Sequence, residues 1–314
     1  MRFLLIILVS IGHFVNGRSS ETYQGVYLFV YSFHMPLFMF ISGLFHKNKN
    51  IIRRVLAYIC IYAIFCLSIY GIKTLFGVKT SLKLLEQSGA PWFMLALAVY
   101  IVLGYLLRSC NLFVVLAVSV AVSLAAGYFS EIGYFLCGSR IIYFWPYYCI
   151  GMLARREKLE EAVSNRKFRI AGAAVLICWL AVCMLLTAKV SALRPFMTGK
   201  LGYPEERYAL GALFRFGMYL LASGLSLAFI FITPRKNLGV ITEFGGRTIQ
   251  VYFWHRLILY VLAYNGIADF FYNGGAVMKM LWIAVAVVVS LFTSLKIFEF
   301  PVTTIVNLAK SRKK

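Results

Sequence analysis

Four ionisable side chains stand in apolar surroundings: Arg2, His13, His34 and His255. An ionisable group inside a lipid-buried helix is costly, so it faces the interior of a bundle or an aqueous cavity. Arg2 and His13 are eleven residues apart, close to three helical turns. Both therefore share one helix face, about 16 Å apart along the axis. They cannot touch, but they can line one groove, the arginine holding a phosphate near a membrane surface and the histidine working deeper. The competing readings are a surface anchor for Arg2 and a helix–helix hydrogen bond for His13.

His34 lies in Phe33-His34-Met35-Pro36-Leu37-Phe38-Met39-Phe40-Ile41-Ser42-Gly43. A proline within a spanning helix frees a carbonyl that neighbours must satisfy, which again suggests a working cavity. Ser42 and Gly43 read as packing residues, because small side chains let helices approach closely. Gly245-Gly246-Arg247-Thr248 opens a further apolar stretch that reaches His255. Arg247 and Gln250 share a face there, and a helix start can bind an anion; a glycine turn with an interfacial arginine is the alternative. Arg215 sits well inside an apolar run and suggests a lined cavity. Arg140 precedes an aromatic tail, and Trp92 opens another run. Such aromatics form an interfacial belt by default, although a sugar would also stack on them. His46 reads as interfacial.

The elements that hold these residues are transmembrane. Of 314 residues, 61% are hydrophobic and 14% charged, with mean hydropathy +0.81. A soluble domain carries about 25% charged residues. The expected fold class is therefore all-α, a polytopic helix bundle forming one integral membrane domain over residues 1–314. Apolar runs of spanning length give about ten spans: 1–16, 26–46, 51–76, 91–108, 111–129, 140–154, 168–189, 207–232, 246–265 and 276–300. The first is short for a span. It lacks a small-residue cleavage site, so it reads as a retained helix whose true start precedes Met1.

The formal charge of +21, from 32 Lys and Arg against 11 Asp and Glu, does not indicate nucleic acid here. The basic residues gather in loops at 47–54, 155–169, 235–247 and 310–314, as orientation signals and lipid-headgroup contacts do. The bias places both termini in the cytoplasm. The loop at about 190–206 reads as a lid or a plain connector. The seven cysteines lack zinc-type spacing, so neither a disulfide framework nor a metal site is expected.

At this point the chain resembles the membrane-bound acyltransferase family 3, especially its fucose 4-O-acetylase-like sugar acetyltransferases. The resemblance rests on Arg2 and His13, separated by ten residues, on the string from Phe33 to Gly43, and on Pro91-Trp92-Phe93-Met94-Leu95-Ala96-Leu97. Weaker matches are Arg140 with its aromatic tail, Gly246-Arg247-Thr248 running to His255, and the basic loop before Arg53-Arg54.

The resemblance implies an inner-membrane enzyme that moves an acyl group, usually acetyl, from cytoplasmic acyl-CoA to a hydroxyl of a surface glycan or its lipid-linked precursor. Acetyl-CoA would be a co-substrate, with no bound cofactor, and membrane lipid and polysaccharide-assembly proteins would be its partners. A sugar hydroxyl needs a base, and histidine has a pKa near the operating pH. His13 is the expected base and His34 the second candidate or its orienting partner. Arg2, Arg53 and Arg54 would hold the CoA phosphates. Trp92, Arg140, Arg215, Arg247 and His255 would line the substrate passage. The rival is a transporter or flippase for a lipid-linked glycan, in which internal repeats are common; none is visible in the sequence. A structural partner in a polysaccharide-assembly complex would leave the buried histidines without a purpose.

Overall fold

A computed structural model of the chain describes residues 1–16, 20–86, 89–234 and 239–310. Its helices, in chain order, are α1 (Arg2–Phe14), α2 (Glu21–Tyr31), α3 (His34–Leu44), α4 (Ile51–Leu75), α5 (Trp92–Leu106), α6 (Leu112–Ala126), α7 (Gly138–Leu153), α8 (Arg156–Ser164), α9 (Arg166–Leu185), α10 (Thr187–Ser191), α11 (Arg194–Thr198), α12 (Gly211–Ile232), α13 (Val240–Phe244), α14 (Thr248–Tyr264), α15 (Ile267–Asn273), α16 (Ala276–Thr293) and α17 (Val302–Lys310). Among the described residues there is no strand beyond an isolated bridge between Glu86 and Phe135.

The outer surface is apolar, as lipid requires. Helix α6 exposes Phe113, Val114, Val118 and Val122 and buries Ser119 and Ser123, the reverse of a soluble helix. Only 17% of the apolar window of α9 and 28% of those of α4 and α16 are buried inside the molecule. The chain is a multi-pass membrane protein.

Each of the ten predicted spans contains helix, but among the described residues five helical stretches are long and apolar enough to cross a membrane: Glu21–Leu44, Ile51–Leu75, Arg166–Leu185, Gly211–Ile232 and Ala276–Thr293. The 13 residues of α1 reach about 20 Å at 1.5 Å each, short of a hydrocarbon core of about 30 Å. The predicted run 276–300 stops at Thr293, and the chain reverses there into α17, which no apolar run announced. Arg18, Arg235, Lys236, Arg312, Lys313 and Lys314, which contributed to the orientation argument, lie outside the described residues.

The expected mid-helix proline sits elsewhere. The helix breaks at Ser32 and Phe33, whose φ of −145° leaves the α region. Pro36 then falls in the first turn of α3, where its missing N–H is tolerated. The break is fastened from outside, since Trp179 Nε1 donates to Ser32 Oγ at 2.9 Å. His34 thereby becomes the first residue of a new helix.

The expectation that Gly43 serves packing holds. Helix α3 packs on α7 through Gly43 and Gly151, and a Cβ on Gly151 would meet the Phe40 carbonyl oxygen. Ser42 beside it does something else, as it borders a cavity.

Candidate active site

Two cavities lie end to end along the bundle. The larger, of about 260 Å³, is bordered by Arg2, Arg54, Tyr58 and Asn307 among others. The smaller, of about 80 Å³, is bordered by His13, Tyr31, His34, Trp92, Arg140 and Arg256. Five helices pass from one to the other. Arg2 and His13 bring α1 to both, Phe38 and His34 bring α3, Phe93 and Trp92 bring α5, Tyr148 and Arg140 bring α7, and Ile249 and Arg256 bring α14. Met35 and Tyr252 border both cavities, so the partition is one side chain thick. Tyr252 is fixed in it by donating to the Ala90 carbonyl at 2.6 Å.

Arg2 and His13, expected to line one groove, border different cavities, Arg2 the larger and His13 the smaller. His13 is partly exposed, whereas His34 is 2% and His255 0% exposed. Tyr31 joins the histidines. Its hydroxyl is 3.3 Å from His13 Nδ1, and its ring lies 4.7 Å from that of His34, centroid to centroid. His255 approaches His13 at 5.3 Å between centroids. The tautomers of the sealed pair follow from their partners. His34 Nδ1 is 2.7 Å from the Val30 carbonyl and His255 Nδ1 is 2.7 Å from that of Val251. A carbonyl only accepts, so in the neutral rings Nδ1 carries the proton and Nε2 is the acceptor. His255 Nε2 has no hydrogen-bond partner among the described residues.

Trp92 belongs to the small cavity and not to an interfacial belt. It is 6% exposed, stacks on Phe144 at 5.0 Å and carries the Arg140 guanidinium 5.1 Å from a ring centroid. Arg140 also donates to the Gly89 carbonyl at 3.3 Å.

The roof of this cavity comes from the predicted lid. Thr198 and Lys200 border the cavity, and the segment is fastened on several sides. Ser139 Oγ donates to the Gly199 carbonyl at 2.9 Å, and Tyr203 donates its N–H to Gly127 at 2.7 Å and its hydroxyl to Leu124 at 2.7 Å. Gly199 turns the roof with φ of +57°, and a Cβ there would strike the Tyr143 ring. Arg194 closes the edge by donating to Asn16 Oδ1 at 3.1 Å. Burial, reinforced by the charges of Arg140, Arg194 and Arg256, pushes the Lys200 ammonium down to about 8.

Four predicted site residues lie elsewhere. Arg53 borders a separate apolar groove between α4 and α17, with Leu56, Cys60 and Leu308, while its neighbour Arg54 turns into the large cavity. One step along a helix turns a side chain by about 100°, which separates the two. Arg215 is 2% exposed. It donates to the Ser123 carbonyl at 2.7 Å and lies over Tyr203 at 4.5 Å, so it props the roof from behind and borders neither cavity. Arg247 donates to the Ser294 carbonyl at 3.1 Å and pairs with Glu299 at 3.6 Å and Glu243 at 3.8 Å. Gln250, one turn on, donates to Thr293 and Leu295 and accepts from Thr303. The pair ties α14 to the reversal between α16 and α17. His255 lies behind His13 and is not among the cavity-bordering residues.

Sequence reasoning missed Tyr31, Lys200, Tyr252 and Arg256. Arg256 carried the same signal as Arg215, an arginine within an apolar run; the other three had none, since tyrosines are common in this chain and Lys200 looked like a loop residue.

No curated protein and no solved structure matches the chain. The profile of the acyltransferase 3 family, described as an acyltransferase domain, does match, over residues 1–298. With that match spanning the small cavity, most of the larger one and all three clustered histidines, the chain belongs to the acyltransferase 3 family of acyl-transferring membrane enzymes.

Proposed function

We propose that this enzyme transfers an acetyl group from cytoplasmic acetyl-CoA to a sugar hydroxyl of a surface polysaccharide or its lipid-linked precursor, as in the fucose 4-O-acetylase-like branch. The observation that carries the reading is the pair of end-to-end cavities separated only by Met35 and Tyr252. The larger admits the donor. Arg2 and Arg54 border it and meet the CoA phosphates, and the Lys and Arg bias puts their side in the cytoplasm. The smaller admits the acceptor. In this reading all ten helical stretches cross the inner membrane as one domain, with both termini inside.

The chemistry follows from the small cavity. A sugar hydroxyl is a poor nucleophile at neutral pH, so His13, the partly exposed one of the three clustered histidines, removes its proton as the oxygen attacks the thioester carbonyl carbon. The tetrahedral adduct collapses with cleavage of the C–S bond. The CoA sulfur leaves and takes up the proton, and the acetyl ester remains on the sugar. Tyr31 and His34 orient His13, and His34 has its own tautomer set by Val30.

The test is acetyl-ester formation on surface glycan, read by mass spectrometry in cells expressing the wild type, His13→Ala or His34→Ala at matched membrane abundance. General-base loss costs about 10²–10⁴-fold, so His13→Ala should abolish the ester while glycan quantity stays constant. Unchanged ester with reduced glycan export would refute the mechanism and favour transport.

A further inference from the structure

The acceptor cavity contains more positive charge than a general base and a neutral sugar require. Arg140 from α7, Lys200 from the roof and Arg256 from α14 all border it, and no aspartate or glutamate does among the described residues. Each cation comes from a different element, so no single helix accounts for the cluster. Arg140 is 6% exposed and has its guanidinium carbon over the Trp92 ring. Arg256 lies over the Tyr260 ring at 4.6 Å and donates to the Tyr260 hydroxyl at 3.2 Å, while its Nε is buried without a hydrogen-bond partner among the described residues. Gathering like charges in a partly buried space is unfavourable unless something negative enters. The oxyanion of the tetrahedral adduct is a single, transient charge, and three cations exceed it.

We propose that the acceptor itself is anionic, presenting a carboxylate or phosphate to Arg140, Lys200 and Arg256 beside the hydroxyl that His13 deprotonates. This rests on the assignment of the small cavity to the acceptor. The shared chemistry is an oxyanion with several acceptor oxygens, which guanidinium and ammonium groups hold by charge-assisted bonds. A uronic acid supplies it on the sugar ring, and a lipid-linked precursor supplies it as the phosphate at the anomeric carbon.

The experiment is equilibrium binding to the purified full chain in lipid nanodiscs, with methyl glucuronide, glucose 1-phosphate and methyl glucoside as probes. Acetyl-CoA turnover is followed on the same preparation. At least one anionic probe should bind about tenfold or more tighter than the neutral glucoside, since a single charge-assisted bond is worth about that factor. Preference for the glucuronide identifies a carboxylate acceptor, and preference for the sugar phosphate identifies the lipid-linked source. Lys200→Gln with Arg256→Gln should remove most of the preference, and Lys200→Arg should retain it. Equal binding of neutral and anionic probes to the wild type overturns the proposal, as does a preference that survives in a folded double variant. Absence of the preference in the wild type with acetyl-CoA turnover intact removes this inference alone. An anion preference without turnover removes the acetyl-CoA reading and leaves the inference standing.

Discussion

The substitution Gly151→Ala tests the joint between α3 and α7, both of which border the small cavity proposed to take the acceptor. A Cβ at Gly151 would meet the Phe40 carbonyl oxygen, with Leu44 N at 2.9 Å and Gly43 Cα at 3.0 Å. All three are backbone atoms, so no side chain can swing aside and the helices must part. Overpacking of this kind costs about 1–3 kcal/mol, and a radial gap of about 0.5–1 Å forfeits a quarter to a half of each contact it opens. The parting also moves chemistry. Helix α3 begins with His34 and Met35, and α7 carries Arg140 and Phe144, all of which border the acceptor cavity. A misplacement of about 1 Å in a reacting geometry can lower a rate about 100-fold. The assay is thermal unfolding and acetyl transfer of the purified protein in nanodiscs, with Gly224→Ala as control. Nothing lies within 4 Å of a Cβ on Gly224, and alanine there should be neutral or stabilising by up to about 1 kcal/mol from helix propensity. A Gly151→Ala variant with wild-type unfolding temperature and rate would refute the close approach of the two helices.

Two further outcomes are expected. Lys200, with its ammonium pushed down to about 8 by burial and then by Arg140, Arg194 and Arg256, loses its charge as pH rises past that value, with His13 and Tyr31 across the cavity. The KM for an anionic acceptor should therefore climb above about pH 8, and Lys200→Arg, which keeps its charge, should flatten the climb in a steady-state pH series. Arg247→Met should lower the unfolding free energy by about 1.5–3 kcal/mol, because charged hydrogen bonds of this kind are worth that much, while the KM for donor and acceptor stays at the wild-type value; a raised KM would return Arg247 to the substrate passage.

Much of the site was legible because lipid makes polarity conspicuous. His13, His34 and Arg2 were found by the cost of an ionisable group in an apolar run, and the helical repeat placed Arg2 and His13 on one face. That cost identifies a residue that must be satisfied without identifying what satisfies it. Arg215 has the same signal and is satisfied by the Ser123 carbonyl; Arg247, singled out instead by its place at a helix start, is satisfied by Ser294, Glu243 and Glu299. Lys200 was invisible for the opposite reason, because a lysine in a loop is ordinary until the loop folds over a cavity. The break at Ser32 and Phe33 was half visible. Pro36 announced a discontinuity, but a proline tolerates the first turn of a helix, so the break precedes it.

The thin wall of Met35 and Tyr252 is also an electrical element. Where wet hollows approach from the two faces of a membrane, the transmembrane voltage falls mainly across the dry layer left between them, which here is about one side chain deep. A charge crossing that layer is worth about 2.3 kcal/mol per 100 mV. In the proposed reaction the acetyl group and the hydroxyl proton change places across this wall, so neutral reactants give neutral products and no net charge crosses the dry layer. The membrane voltage therefore leaves the acetylation equilibrium unchanged. The acceptor oxygen and the sulfur share one carbon in the adduct, so Met35 or Tyr252 must yield as donor and acceptor meet.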